Sequence, residues 1–417
     1  MPNYLIQLGR NTDLSAAEIT AVNQRMGSPL RIQERRGEAV FAEAEDDGVV
    51  RTLCEQLGGS IRFAECLSHL ANDALTPDTI AAELIQTPLF QSDEPLEKVV
   101  LGFSLIGDAS HWGGKRKVYG LLHDAAGALK RILSERDLSS RFVLPDPQGD
   151  NLTLSGAQVD RNHLFKRGGE WFFHADPERG VTIAQTKWLQ DYEAFSNRDY
   201  GRPQRDAKSG MLPPKLARMM LNLARTPETE TVLDPFCGSG GVLMEAALMG
   251  LHAVGVDKSP KAVNDAAANG EWLQGRFGLG EPPHVVEGDA HQLRALFEPL
   301  FFDACVSEPD LGPPLRKPLA EDKFSEVISQ LGKFYTRALA EIRTVARPGA
   351  RVVFILPRFA VQGRNEHIKI NILGDIRLMG YTILDPGNGF QPATGRASLL
   401  YARPKQFVQR EIFVLQA

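Results

Sequence analysis

The chain has 417 residues, more than one average domain, and its 43% hydrophobic content is enough for more than one core, so we predict two or three domains. A formal net charge of −5 excludes a protein that coats nucleic acid through charge alone, and any RNA contact therefore requires a local basic patch. Four scattered cysteines suit a reducing compartment, and the start of the chain shows neither a leader pattern nor an apolar run of membrane-spanning length, so we expect a cytoplasmic protein that does not enter a membrane.

The first 95 residues alternate strand-like and helix-like runs. Apolar runs at 4–8, 39–42 and 60–65 predict strands, and the segments 16–26 and 48–57 predict helices. This order predicts a ferredoxin-like α+β domain over residues 1–95. A polar segment with Pro95 marks its end. Strand-like and helix-like runs then recur, and we predict a second domain over residues 96–190.

Two basic stretches are candidates for RNA binding. In the first, Lys115, Arg116 and Lys117 follow Trp112 and two glycines. They predict contacts with an RNA backbone, and the alternative is the start of a surface helix. The second stretch, residues 198–218, carries six Lys or Arg and two Asp. It overlaps a predicted linker, residues 191–212, and extends just beyond it. We predict that Arg202, Arg205 and Lys208 contact phosphate, and the alternative is a solvated linker.

A glycine-rich turn, Asp234-Pro235-Phe236-Cys237-Gly238-Ser239-Gly240-Gly241, follows the apolar run 231–233 and precedes an apolar helical run. Glycine permits positive φ and close approach of the backbone to a ligand, and a helix start offers unpaired N–H groups. The turn therefore predicts a site for a polar or anionic cofactor. Leu243 stands where a dinucleotide-binding turn needs its last glycine, which disfavours NAD.

Three further apolar runs in the same half of the chain each end in acidic residues. The run 252–256 ends in Asp257, the run 284–286 is followed by Asp289, and the run 302–306 is followed by Glu308. Ligands bind at the carboxyl edge of a parallel sheet, so we predict one cleft in which Asp257 binds a ribose and Asp289 accepts from an adenine amine. The alternative for Asp257 and Asp289 is an ordinary helix cap, and the alternative for Glu308 is a solvated or capping carboxylate on a loop.

The glycine turn resembles the D-P-F-x-G-x-G-G motif of class I S-adenosylmethionine-dependent methyltransferases that act on exocyclic amines of bases. Within that class, the chain is similar to tRNA guanine-N2 methyltransferases acting at position 10, in which a THUMP RNA-binding module precedes the catalytic domain. The segments 4–18 and 198–217 add to this resemblance. It implies a Rossmann-like seven-stranded sheet over residues 213–417, preceded by an α+β ferredoxin-like and THUMP-like region, with residues 96–190 as the THUMP-like part.

The resemblance also implies the cofactor, S-adenosylmethionine, and the partner, tRNA. The sequence identifies no partner subunit. No histidine or cysteine pattern suggests a metal. The cofactor-binding residues that we predict are Asp234, Phe236, Gly238, Gly240, Asp257, Lys258, Asp289 and Ala290.

The fourth strand end departs from the motif of these enzymes. They carry D/N-P-P-Y/F, in which the first side chain and a proline carbonyl accept from the target amine and the aromatic ring stacks on the flipped base. This chain has Ser307-Glu308-Pro309-Asp310-Leu311-Gly312. We predict Glu308 and Pro309 as the catalytic residues, and Phe236 or Tyr335 as a replacement stacking platform.

The predicted function is methyl transfer to the exocyclic N2 of a tRNA guanosine. One alternative is a DNA amino methyltransferase, which would usually carry a target-recognition insertion. The other is a cofactor-binding RNA-binding protein with altered or lost catalysis, suggested by Asp310 and Leu311 where an aromatic is expected.

Overall fold

The computed structural model describes residues 1–91, 98–146, 152–205, 211–279, 281–386 and 397–417. These residues form two compact units. The first consists of Met1–Arg10, Pro29–Gln56 and Ser60–Tyr192, and the second of Asn11–Ser28, Leu57–Gly59 and Glu193–Ala417. Among the described helices, none combines the length and the apolar character needed to cross a membrane.

The described residues contain seventeen strands and thirteen α-helices. The strands are β1 (Asn3–Leu8), β2 (Leu30–Arg36), β3 (Ala39–Ala44), β4 (Ser60–Leu70), β5 (Lys98–Gly107), β6 (Ser139–Val143), β7 (Gly168–Asp176), β8 (Gly180–Leu189), β9 (Thr231–Asp234), β10 (His252–Asp257), β11 (His284–Glu287), β12 (Phe302–Ser307), β13 (Ala346–Phe359), β14 (Ile368–Lys369), β15 (Thr382–Leu384), β16 (Leu399–Tyr401) and β17 (Val408–Gln416). The helices are α1 (Thr12–Arg25), α2 (Asp47–Gln56), α3 (Pro77–Ile85), α4 (Pro88–Gln91), α5 (Lys115–Glu135), α6 (Gly156–Arg161), α7 (Leu164–Arg167), α8 (Tyr192–Tyr200), α9 (Pro214–Ala224), α10 (Gly241–Leu248), α11 (Pro260–Phe277), α12 (Glu321–Val345) and α13 (Leu373–Leu378).

The first unit contains one sheet in the order β2-β3-β1-β4-β8-β7-β5-β6. Its first four strands are antiparallel neighbours in the order of a ferredoxin-like sheet, the arrangement that the sequence predicts, although β2 is not among the three strands predicted for residues 1–95. Because β4 pairs with β8, strands from residues 1–95 and from residues 96–190 belong to the same sheet. The boundary between these two predicted domains stays a prediction.

Apolar side chains from the sheet and its helices form the core of the first unit. Phe103, Trp171 and Phe173 lie on neighbouring strands and are fully buried, and helix side chains such as Leu84 and Leu129 pack in the same cluster. The aromatic rings pack edge to face, with Phe103 and Phe173 centroids 5.3 Å apart. Burial of this apolar face on both α3 and α5 fixes the helices on the sheet.

The second unit contains a sheet in the order β11-β10-β9-β12-β13-β17-β15, with β14 paired to β13 and β16 paired to β17. Strands β9 to β13 are parallel, and β17 runs antiparallel to β13 and β15. This confirms the predicted Rossmann-like methyltransferase sheet of seven strands, with two short strands added to it.

The seventh strand of that sheet lies later in the chain than the sequence predicts. The apolar pattern predicts the last strands at 381–384 and 398–402. The structure has β15 and β16 there, and the long seventh strand is β17, Val408–Gln416. Residues 409–411 of this strand are polar or charged, but residues 412–415 form a buried apolar run, so the sequence contains a local strand signal that the prediction misses.

Helices cover both faces of the second sheet. Leu216, Met220 and Leu243 of α9 and α10 pack with Val232 and other sheet residues in one buried cluster. Leu339 and further residues of α12 belong to a second cluster with the opposite side chains of the strands. Burial on both faces explains the nearly continuous apolar sequence of β9, β10 and β12. It also leaves the carboxyl edge of these strands as the place where polar residues gather.

Candidate active site

The glycine-rich turn lies between β9 and α10 at the carboxyl edge of the second sheet. Gly238 has φ of +51° and Gly240 has φ of +82°, conformations that side chains other than glycine rarely adopt. Gly240 is the N-cap residue of α10 and has no side chain that could cap the helix. The first N–H groups of α10 therefore remain available to a ligand.

Asp234 is the last residue of β9 and is 2% exposed. Its Oδ1 accepts a hydrogen bond from Ser307 Oγ at 2.6 Å and another from the Phe236 backbone N–H at 3.2 Å. Burial raises the pKa of the Asp234 carboxyl to about 7, and the nearby carboxylates of Asp257 and Glu308 contribute in the same direction. This side chain is thus held ready for a cationic partner.

Asp257, at the end of β10, fixes the shape of the turn. Its Oδ2 accepts from the Gly238 N–H at 3.0 Å and its Oδ1 accepts from the Ser259 N–H at 2.9 Å. Each carboxylate oxygen keeps a further lone pair for a ligand hydroxyl. The predicted ribose contact and the local structural role of Asp257 are therefore compatible.

Asp289 follows β11 and caps a 3-10 turn, Ala290–Ala295. Its Oδ1 accepts from the His291 N–H at 2.9 Å and lies 3.2 Å from His291 Nδ1. The Asp289 side chain is 44% exposed, so the cap does not prevent it from reaching a ligand. The alternative, a helix cap, describes the hydrogen bond that Asp289 accepts within the chain. The predicted contact of Asp289 with adenine stays a prediction.

Glu308 follows β12 and is paired with Arg410 of β17. Arg410 Nε donates to Glu308 Oε1, and Arg410 Nη2 donates to Glu308 Oε2 at 3.2 Å. The two side chains are 11% and 14% exposed. The Glu308 carboxylate raises the pKa of the Arg410 guanidinium against the effect of burial. The sequence predicts Glu308 but not Arg410, which is 102 residues away along the chain.

The loop after Glu308 is anchored by Tyr335. The Tyr335 hydroxyl donates to the backbone oxygen of Asp310 at 2.5 Å, and the ring is fully buried against Phe354. Burial raises the pKa of the Tyr335 hydroxyl. The prediction of Tyr335 as a stacking platform for a base is therefore wrong, because its ring belongs to the core. Phe236 is partly exposed and packs on Phe334, with ring centroids 5.4 Å apart.

These residues line two adjoining cavities at the carboxyl edge of the sheet. The first, of about 260 Å³, includes Arg202, Asp234, Ser239 and Gly241 in its wall. The second, of about 500 Å³, includes Lys258, Asp289, Ala290 and Pro309. Four residues line both: Phe236, Gly238, Asp257 and Glu308. The predicted cofactor-binding residues other than Gly240 and both predicted catalytic residues thus surround one cleft.

Three of the five described basic residues between positions 198 and 218 are buried in the second unit. Arg198 Nε donates to Glu245 Oε1 at 2.5 Å, and Arg218 Nε donates to Glu245 Oε2 at 2.9 Å. All three side chains are buried, and Arg202 is 3% exposed. An arginine so deeply buried cannot reach an RNA phosphate at the surface, so the prediction of Arg202 as an RNA contact is wrong.

The other predicted RNA contacts are differently placed. Arg205 is exposed and its guanidinium lies over the Tyr200 ring, 5.1 Å from the centroid. Lys208 lies outside the described residues. In the first unit, Arg116 and Lys117 are exposed and Lys115 is half-buried in the first turn of α5. Their accessibility suits contact with RNA, which stays a prediction.

Residues 202–358 match the family described as "UPF0020: RMKL-like, methyltransferase domain". A protein of Pyrococcus abyssi named tRNA (guanine(10)-N2)-dimethyltransferase is 34% identical over 177 residues, 42% of this chain and 46% of that protein. The chain thus spans about half the length of this relative. A protein of Methanothermococcus thermolithotrophicus named probable tRNA (guanine(10)-N2)-dimethyltransferase is 30% identical over 125 residues, 28% of this chain and 71% of that protein.

The crystal structure of TrmN from Thermus thermophilus matches 99% of this chain and 99% of its own, with a TM-score of 0.56 and 15% sequence identity. At this identity the similarity concerns the fold. It agrees with the class I methyltransferase sheet of the second unit.

Proposed function

We propose, because the chain belongs to the protein family of the tRNA (guanine(10)-N2)-dimethyltransferases, that it transfers a methyl group from S-adenosylmethionine to the exocyclic N2 of a guanosine in tRNA. The observation that carries this proposal is the position of Glu308 and Pro309, which line the same cleft as the glycine turn, Asp257 and Asp289. The cleft therefore contains both a hydrogen-bond acceptor for the target amine and a site for the methyl donor.

The chemistry of the cleft fits the cofactor. S-adenosylmethionine supplies an electrophilic methyl group carried by a sulfonium sulfur. Its ribose hydroxyls can donate to Asp257, its adenine amine can donate to Asp289, and its ammonium group suits the buried carboxylate of Asp234. The glycine turn offers backbone N–H groups at the start of α10. Lys258 and Ala290 complete the wall of the second cavity.

Glu308 accepts a hydrogen bond from the guanine amine and turns the nitrogen lone pair toward the methyl donor. Positioning of this kind lowers a reaction barrier by roughly 7–11 kcal/mol in well-oriented cases. The negative charge also stabilises the positive charge that develops on the nitrogen. Arg410 holds the carboxylate through both oxygens, so the acceptor is oriented before the base arrives. Pro309 restricts the backbone after it.

Phe236 is the remaining candidate for stacking on the target base. It lines both cavities, is partly exposed, and packs against Phe334. Stacking on an aromatic ring contributes about 1–3 kcal/mol per base. We propose that Phe236 replaces the aromatic residue that is absent at Asp310 and Leu311.

We propose the finer features in the same way. The target is guanosine 10 of tRNA, as in the names of the relatives. The first unit includes a THUMP-like RNA-binding module over residues 96–190, in which Lys115, Arg116 and Lys117 contact the RNA backbone. Arg205 adds a contact from the second unit. The protein acts in the cytoplasm, where its four free cysteines stay reduced.

The experiment that tests this function compares acceptors. The purified protein is incubated with labelled S-adenosylmethionine and either unmodified tRNA transcripts or duplex DNA at equal nucleotide concentration. We expect label in tRNA and none in DNA. Label in DNA would indicate a DNA amino methyltransferase, and cofactor binding without label in either acceptor would indicate an RNA-binding protein that has lost catalysis. Both results contradict the proposal.

A further inference from the structure

Arg202 is the cation of the first cavity. It lies in the segment between α8 and α9, is 3% exposed and lines the cavity together with Asp234, Gly238 and Gly241. A Cβ atom on Gly241, the first residue of α10, would lie 3.8 Å from Arg202 Nη1. The guanidinium is therefore at the start of α10, where the backbone N–H groups of the first turn also face the cavity.

The hydrogen-bonding capacity of this guanidinium is largely unused. Nη2 lies 2.7 Å from the sulfur of Met211, which is a weak acceptor. Nε and Nη1 have no hydrogen-bond partner among the described residues. Burial lowers the pKa of Arg202, because the charged form loses water without gaining a strong acceptor. A buried donor left in this state costs free energy until an acceptor arrives.

Several charged groups of the cavity wall have partners of their own. Glu308 is paired with Arg410, Lys261 is paired with Asp265, and Asp234 accepts from Ser307. Asp199 is close enough to favour the charged form of Arg202 but does not line the cavity, so the wall presents a cation without a hydrogen-bonded carboxylate next to the buried carboxylate of Asp234. This pattern is complementary to a zwitterion, whose carboxylate would meet the arginine and whose ammonium would meet Asp234.

Asn269 of α11 fixes the segment that carries Arg202. Its Oδ1 accepts from the Gln204 N–H at 2.9 Å, and its Nδ2 donates to the Gln204 oxygen at 3.0 Å and to the Ser239 oxygen at 2.9 Å. One buried amide therefore joins the backbone two residues after Arg202 to the glycine turn. The distance between the arginine and the helix start is set by this connection.

We propose that Arg202 binds the carboxylate of the amino-acid end of S-adenosylmethionine, together with the first N–H groups of α10. This inference rests on the proposed function, since it takes S-adenosylmethionine as the cofactor. It reassigns to the cofactor an arginine whose position in a basic stretch predicts RNA binding. It also makes the site selective for a methyl donor that retains its carboxylate.

The test measures binding by calorimetry in the absence of tRNA, with three ligands. S-adenosylmethionine has the carboxylate, its decarboxylated form lacks the carboxylate alone, and 5′-methylthioadenosine lacks the whole amino-acid end. The wild-type protein should bind S-adenosylmethionine roughly tenfold to a hundredfold more tightly than the decarboxylated form, the effect of one hydrogen bond to a charged group.

The variant Arg202→Met should lower the affinity for S-adenosylmethionine by the same factor. Its affinity for the other two ligands should not change. The exposed Arg377 of α13 provides the matched control, and Arg377→Met should bind all three ligands like the wild type. Equal affinity of the wild-type protein for S-adenosylmethionine and its decarboxylated form would overturn the inference without any substitution. Equal weakening of all three ligands in Arg202→Met would overturn it as well, because a general change in structure would explain that result.

Failure of the inference is separable from failure of the proposed function. If the wild type binds S-adenosylmethionine but does not distinguish the carboxylate, Arg202 has another role and methyl transfer to tRNA is unaffected. If the wild type binds none of the three ligands, both proposals are contradicted.

Discussion

At the scale of single residues, the environment of Glu308 is defined by its pairing with Arg410. Glutamate is one methylene longer than the aspartate of the motif that the sequence resembles, and its carboxylate is held by an arginine from β17. A buried pair of this kind is costly to break from one side, because the remaining charge has no partner. We therefore treat Arg410 as a positioning residue for Glu308.

The first prediction concerns this pair. Glu308→Ala should lower turnover on tRNA by roughly a hundredfold or more, the cost of losing a preorganised group, while leaving the affinity for S-adenosylmethionine nearly unchanged. Arg410→Met should lower turnover less. If Arg410 acts through Glu308, the double variant should be no slower than Glu308→Ala alone, which single-turnover kinetics can measure.

Arg403→Met, at an exposed position shortly before β17, is the control and should retain wild-type turnover. Unchanged turnover in Glu308→Ala would show that the assigned role is wrong. Additive losses in the double variant would show that Arg410 acts independently of Glu308.

A second prediction follows from the raised pKa of Asp234. Between its ordinary value of 3.8 and about 7, the folded protein keeps a proton that the unfolded chain has released. Folding therefore takes up a proton, and the free energy of unfolding falls as the pH rises through this window, by an amount on the order of a few kcal/mol. The side chain in Asp234→Asn does not titrate. The contribution of residue 234 to the fall in the free energy of unfolding should therefore disappear.

Thermal unfolding of the ligand-free protein between pH 4 and pH 8 measures the difference. The melting temperature of Asp234→Asn should rise relative to the wild type as the pH increases, and Asp375→Asn, at an exposed position of α13, should follow the wild type. Parallel curves for Asp234→Asn and the wild type would contradict the account of this buried carboxyl.

At the scale of secondary-structure elements, the cleft depends on connections between loops and helices. Asn269 is fully buried in α11 and joins the segment of Arg202 to the glycine turn through three hydrogen bonds. Glu245 of α10 is likewise bound by Arg198 and Arg218. Buried polar groups are stable only when they are paired, so each of these connections fixes the geometry of the cleft.

A third prediction tests the connection through Asn269. Asn269→Ala leaves three backbone groups without their partner and should lower the free energy of unfolding by roughly 1–3 kcal/mol or more. It should also weaken S-adenosylmethionine binding, since both walls of the first cavity lose their common anchor. Asn264→Ala, at an exposed position of the same helix, should change neither quantity. Wild-type affinity in Asn269→Ala would show that the anchor is dispensable.

The sequence predicts those elements whose signal is local. The turn from Asp234 to Gly241 and the carboxylates after β10, β11 and β12 follow short apolar runs, and parallel strands bring their ends together. Strand β2 was not predicted, because only Leu30 and Ile32 are apolar in an edge strand with one polar face. Arg410 was not predicted for a different reason: its role depends on the pairing of β17 with β13, a contact between distant parts of the chain.

Burial also decides between roles that the sequence leaves open. Arg202 and Arg205 are three residues apart in one basic stretch, and composition does not distinguish them. The structure buries Arg202 in a cavity wall and leaves Arg205 at the surface. Tyr335 and Phe236 are both aromatic residues of the second unit, and packing against Phe354 removes Tyr335 from the set of platforms.

At the scale of the whole molecule, the proposed function combines a catalytic unit with a unit for RNA contact. The net charge of −5 limits nonspecific attraction to RNA, so a small number of exposed basic side chains should contribute most of the phosphate contacts. In the first unit, Arg116 and Lys117 meet this condition at the start of α5, and the half-buried Lys115 lies beside them.

A fourth prediction tests these residues. Changing Lys115, Arg116 and Lys117 together to alanine should weaken tRNA binding and reduce the slope of log Kd against log salt concentration by about two to three. S-adenosylmethionine affinity should not change. The matched triple variant of Lys130, Arg131 and Arg136, exposed residues in and just after the end of α5, removes the same charge and should affect tRNA binding much less. Equal effects of the two triple variants would show a general effect of charge rather than a binding site.

The measurement that tests the central claim most directly identifies the methylated nucleoside. Unmodified tRNA transcripts with guanosine or adenosine at position 10 are incubated with the protein and labelled S-adenosylmethionine, digested, and analysed by mass spectrometry. We predict N2-methylguanosine or N2,N2-dimethylguanosine from the first transcript and no product from the second. Methylation at another atom, or no product from a protein that binds the cofactor, would contradict the claim that Glu308 and Pro309 present a guanine amine to the methyl donor.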